Sequence, residues 1–162
     1  MPDSKLHTCC FFGHRKILVT DEMESKLYNE IENLILNEEI NVFLFGSRSE
    51  FDSLCHKVVS RLKRKYTHVK RIYVRAEFPE INNSYKEYLS DSYEDTYYPE
   101  KITGAGKAVY IERNREMIEK SCCCICYCDE NYGTLSGKTI KSGTSIAIAY
   151  AKKKGLRIQN IK

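Results

Sequence analysis

Short apolar runs alternate along the chain with longer stretches in which apolar residues recur at helical spacing. Thr8-Cys9-Cys10-Phe11-Phe12 is one such run, and it stops at Gly13, which predicts a buried strand. From Asp21 to Asn37 the apolar positions Met23, Leu27, Ile31, Leu34 and Ile35 fall on one helical face. The unit then repeats. Asn41 to Phe45 predicts a second strand ended by Gly46, and Phe51 to Lys65 a second helix through Leu54, Val58, Val59 and Leu62. Val69 to Val74 predicts a third strand.

Periodicity is lost from Ala76 to Gly106, where Tyr, Asp, Glu, Asn and Ser dominate. This 76–106 segment reads as a variable insert, able to act as a lid, with a short helix near Tyr85 to Leu89. Beyond it, Lys107 to Lys120 suits a helix through Val109, Ile111, Met117 and Ile118, and Cys122 to Cys128 predicts the most buried strand of the chain. Asp129 to Lys141 is polar and reads as a loop. Gly143 opens a small-residue helix through Ala147, Ala149 and Ala151 that stops at Gly155, and Leu156 to Ile161 predicts a last strand. Strands separated by helices imply an α/β fold: a Rossmann-like three-layer sandwich with a mostly parallel central sheet, formed by residues 1–162 as a single domain.

Composition narrows this picture only slightly. Lys and Arg number 26 against 22 Asp and Glu, so the charges nearly cancel and nucleic acid is not an indicated partner. No stretch approaches the roughly 18 consecutive apolar residues that span a bilayer, and Met1-Pro2-Asp3-Ser4-Lys5 lacks a secretory apolar region, so a cytoplasmic protein is expected. Five of the eight cysteines lie at 122, 123, 124, 126 and 128 within one apolar run. They read as reduced core residues, because alternate residues on a strand stand about 6.6 Å apart and cannot share a tetrahedral metal. Neither a metal nor a cofactor is predicted.

The candidate chemistry lies in three turns. Gly13-His14-Arg15, Gly46-Ser47-Arg48 and Ser142-Gly143-Thr144 each follow a strand or open a helix, and parallel sheets place such turns together at the strands' carboxyl edge. A glycine lets the backbone approach an anion, a helix start offers N–H groups, and an arginine adds a bidentate donor. Each triplet alone is an ordinary turn; three on one edge suggest an anion site. His14 suits a phosphate contact or simply caps its loop, and Asp52 either complements the second helix dipole or accepts from a ribose hydroxyl. In Glu112-Arg113-Asn114-Arg115, Arg113 and Asn114 are placed to point across the ligand edge, the alternative being solvated helical ion pairs.

Taken in order, Cys10-Phe11-Phe12-Gly13-His14-Arg15, Gly46 to Asp52, Glu112 to Met117, Ser142-Gly143-Thr144 and Tyr150 to Gly155 resemble the YpsA-type branch of the SLOG superfamily, related to the DprA and cytokinin-activating phosphoribohydrolase branches. The resemblance implies a Rossmann-like domain that binds nucleotides or ligands such as ADP-ribose derivatives. The phosphoribohydrolases carry a glutamate three residues after their Gly-Thr pair, where this chain has Ala147, and alanine can neither stabilise an oxocarbenium ion nor move a proton. Tyr132-Gly133-Thr134-Leu135 mimics the hydrolase loop, but no paired carboxylates follow it. Gly46-Ser47-Arg48 also departs from the paired small residues of the YpsA-type pattern.

The expected function is therefore recognition of a nucleotide-derived ligand, in sensing or sequestration, with Gly13, His14, Arg15, Gly46, Ser47, Arg48, Asp52, Arg113, Asn114, Ser142, Gly143 and Thr144 as ligand-binding residues. The alternative is an N-glycosidase using Glu112, Asp52 or Asp129 as its carboxylate, and nucleic-acid binding through Lys152 to Lys154 ranks below it. The partner expected is a nucleotide or nucleotide-derived small molecule, not a membrane, with self-association as a further option.

Overall fold

The computed structural model describes residues 2–129 and 142–162. A helical turn, α1 (Pro2–Lys5), leads into β1 (Thr8–Gly13). There follow α2 (Asp21–Asn37), β2 (Val42–Phe45), α3 (Glu50–Lys65), β3 (Lys70–Val74), α4 (Asn83–Ser90) and β4 (Asp95–Tyr97). Two short 3-10 turns precede α5 (Val109–Glu119), β5 (Cys123–Tyr127), α6 (Gly143–Lys153) and β6 (Arg157–Asn160). The six strands form one parallel sheet in the order β4-β3-β2-β1-β5-β6.

Both faces of β1 and β5 are covered, which is why their sequences are apolar without alternation. Cys9, Phe11, Cys123 and Ile125 pack with Leu27 and Ile31 of α2 and Phe51, Val58 and Leu62 of α3. Cys10, Phe12, Cys124 and Cys126 pack with Met117 and Ile118 of α5 and Ala147, Ile148 and Ala151 of α6. The cysteines fill space as small apolar groups; all eight are free thiols, six of them buried. Thr20 caps α2 by accepting from the Met23 N–H at 3.1 Å, with Asp21, Glu22 and Glu24 in the first turn complementing the helix dipole. Among the described residues no helix is long and apolar enough to cross a membrane.

The chain lays down β1 to β4 in one direction across the sheet, then returns through α5 to place β5 on the other side of β1. The order reverses between β1 and β5, where loops leaving the strand ends diverge and a crevice opens. The 76–106 segment, expected as an insert, supplies α4 around the short helix anticipated there and also the edge strand β4. Asp95-Thr96-Tyr97 pairs with Ile72, Tyr73 and Val74, and Arg71 holds the preceding Glu94 through two bonds of 3.1 and 2.7 Å. A polar three-residue strand bonded on one side only carries too little apolar pattern to be legible in sequence. The loop expected over 129–141, with the Tyr132-Gly133-Thr134-Leu135 mimic, lies outside the described residues except for Asp129.

Candidate functional site

Beyond the carboxyl ends of β1, β2 and β3 lies a cavity of about 880 Å³, bounded by the turns after β1 and β2, one face of α5, the start of α6 and the segment after β3. All twelve residues expected from sequence to contact a ligand line it. Gly13 ends β1 against Phe51: a Cβ at Gly13 would lie 2.3 Å from the Phe51 ring. His14 follows, 2% exposed, and its Nε2 accepts the Asp129 N–H at 2.8 Å. That bond joins the turn after β1 to the residue after β5 and fixes a neutral imidazole with its proton on Nδ1; burial lowers the His14 pKa, against the opposing effect of Asp129. The Arg15 carbonyl accepts from the Glu50 N–H at 2.8 Å, and the Glu50 carboxylate accepts from the Ile17 N–H at 2.7 Å, so the first turn is tied to the start of α3.

The turn after β2 is organised by Asp52, which is 3% exposed. Ser49 caps α3 by accepting from the Asp52 N–H at 3.0 Å, while the Asp52 carboxylate accepts from the Ser47 N–H at 3.1 Å and from the Ser49 hydroxyl at 3.4 Å. Burial raises the Asp52 pKa to about 6, opposed by the Ser47 hydrogen bonds and by the Arg113 charge. Because this lies above the unfolded value, the folded chain holds the proton more tightly. The group stabilises the fold most below about pH 4, and that contribution is lost as pH rises through about 6. The stability difference between wild type and Asp52→Asn, followed by denaturant titration from pH 4 to 7, should therefore shrink as pH rises; a difference independent of pH would show that Asp52 does not titrate in this window.

Arg113, 5% exposed, reaches from α5 across the top of β2. It donates through Nη1 to the carbonyls of Gly46 and Val74, the latter at 3.5 Å, and through Nε to the Asn114 side-chain oxygen at 2.9 Å. Burial lowers its pKa, offset by the nearby Tyr73 and Asp52. A Cβ at Gly46 would lie 2.7 Å from the Met117 sulfur and 2.8 Å from Arg113 Cδ, so this glycine makes room for the guanidinium. Arg48 stands beside Tyr73 and Tyr85, which raise its pKa. At α6, Ser142 Oγ accepts from the Ser145 N–H at 3.0 Å, and Gly143 lines the cavity with nothing among the described residues within 4 Å of a Cβ placed on it.

Arg75 is a cavity residue that sequence reasoning missed. It follows β3 directly and donates to the Phe78 carbonyl at 3.1 Å, the Pro79 carbonyl at 3.3 Å and Thr96 Oγ1 at 3.0 Å, anchoring the segment that brings Phe78 and Tyr85 to the cavity. Its position after a strand, equivalent to that of His14, was the available signal. Of the three carboxylates considered for catalysis, only Asp52 reaches the cavity. Glu112 pairs with Arg115 at 2.9 Å, and Asp129 with Lys162 at 3.3 Å. Ala147 packs in the apolar layer beside Met117. Among the described residues, four arginines, at 15, 48, 75 and 113, line the cavity against two carboxylates, Asp52 and Glu77, and that balance favours an anion. Comparison of the chain with protein-family models and with curated proteins finds no match.

Proposed function

We propose that the protein is a SLOG-type recognition module that binds a nucleotide-derived ligand, such as a nucleoside phosphate or an ADP-ribose-like molecule, to sense or sequester it. The observation that carries this is the convergence of four arginines and the starts of α3 and α6 on one cavity beyond the strand ends. Helix starts and guanidinium groups both complement phosphate, and about 880 Å³ is within the usual range for small-molecule sites. Recognition is favoured over cleavage because the cavity's buried carboxylate, Asp52, is spent on its own turn.

Calorimetric titration with nucleoside mono- and diphosphates and ADP-ribose should give saturable binding that weakens as salt is raised. Absence of binding across that panel would overturn the proposal. Chromatography of the same mixtures separates recognition from hydrolysis: the nucleotide should be recovered intact, and free base would move the assignment to an N-glycosidase.

A further inference from the structure

Phe78, Tyr85 and Tyr110 are among the aromatic residues that line the same cavity as the arginines. Phe78 is 59% exposed and Tyr110 49%, although large rings normally lose most of their water contact on folding. Phe78 also has φ +58°, a left-handed backbone conformation that is an outlier for a bulky residue and that Gly or Asn ordinarily occupies. It is held there by the Arg75 guanidinium through the Phe78 and Pro79 carbonyls. The Phe78 ring meets Tyr85 edge to face at 6.1 Å, while the Arg113 guanidinium lies 5.8 Å from the Tyr110 ring centroid. A mere connector between β3 and α4 would fold more readily with Gly at 78 and no exposed ring. Strained backbone that persists because its surroundings over-determine it points to function.

We infer that these rings form a stacking subsite for the planar base of a nucleotide whose phosphate lies on the arginine side of the cavity. The inference rests on the phosphate-binding proposal above and deepens it: the ligand must carry a base, and a base-free sugar phosphate is the weaker ligand. Ring faces are sequence-tolerant stacking surfaces, so the subsite selects for the presence of a base more than for its identity.

The experiment compares AMP with ribose 5-phosphate by calorimetry on wild type, Phe78→Gly and Tyr85→Leu. Glycine suits the positive φ, so Phe78→Gly should melt close to wild type, which keeps loss of binding distinct from loss of fold. Wild type should bind AMP about 10-fold or more tightly than ribose 5-phosphate, and each variant should erode that ratio, with Phe78→Gly leaving ribose 5-phosphate affinity within about twofold. Equal affinity for the two compounds in wild type, or a ratio untouched by both variants, would overturn the base subsite while leaving phosphate recognition standing. Binding of neither compound would overturn both.

Discussion

Arg113→Met should fold as stably as wild type, to within about 1 kcal/mol, and bind nucleoside phosphates roughly 10- to 100-fold more weakly. The guanidinium is buried, and its hydrogen bonds go to the carbonyls of Gly46 and Val74 and to the Asn114 side chain, none of which carries a charge. Desolvating a cation for neutral partners is costly, and an apolar side chain of similar length next to Met117 escapes that cost. Two effects oppose the gain: Gly46 and Val74 lose a donor, and Asp52 loses a nearby positive charge. The near-cancellation is what makes the variant informative. A charge-assisted bond to phosphate is worth about 1.5–3 kcal/mol, and methionine can supply none of it. Paired melting curves and titrations decide the matter. A variant that unfolds readily yet retains full affinity would assign Arg113 to the architecture and remove it from the site.

Gly13→Ala should destabilise the protein by ~3 kcal/mol or more, a fall in melting temperature of about 10 °C for a chain of this length. The added methyl would lie 2.3–2.4 Å from three atoms of Phe51: Cδ2, Cγ and its own Cβ. Rotating the ring cannot relieve a contact with Cβ, so either the end of β1 or the first turn of α3 must shift. Phe51 is fully buried, and the neighbouring turn is tied to α3 through Arg15 and Glu50. In a Phe51→Ala background, which removes the Cγ and Cδ2 contacts, Gly13→Ala should cost less and give a coupling energy in a double-mutant cycle. If Gly13→Ala melts with wild type, the steric account of this glycine is wrong.

The glycine case also shows what sequence could and could not reveal. That Gly13 and Gly46 end strands was visible from the apolar runs before them, but those runs suggested only backbone approach to an anion. The structure adds a packing reason for each, namely room for Phe51 and for Arg113. Neither partner is near in sequence, so no local pattern pairs them. The helix from Asp21 to Asn37 was legible to its ends because its apolar stripe is regular and a threonine caps it. Nine of the twelve expected cavity residues came from adding one topological rule, the common edge of parallel strands, to three weak triplets, and Asp52, Arg113 and Asn114 came from the helices flanking that edge. Arg75 escaped because no glycine marks the turn after β3, and Phe78 because its place in the cavity depends on how the irregular 76–106 segment is anchored. Asp52 was expected to orient a ribose or to complement a dipole; it does stand in the first turn of α3, and its carboxylate also holds the turn that contains it, a role that requires the actual distances to Ser47 and Ser49.

The strand order has a consequence for biosynthesis. β1 is central in the finished sheet, yet its neighbour β5 lies more than a hundred residues downstream, with Cys9 opposite Cys123 and Cys10 opposite Cys124. As the chain leaves the ribosome, β1 to β4 emerge in the sequence in which they lie, and for that interval β1 is an open edge with Cys9, Cys10, Phe11 and Phe12 on it. Such an edge is the surface at which nascent chains pair wrongly. Arrival of β5 seals it, and α6 follows to supply the last wall of the cavity. The cavity is thus completed only after β5 has covered that edge of β1.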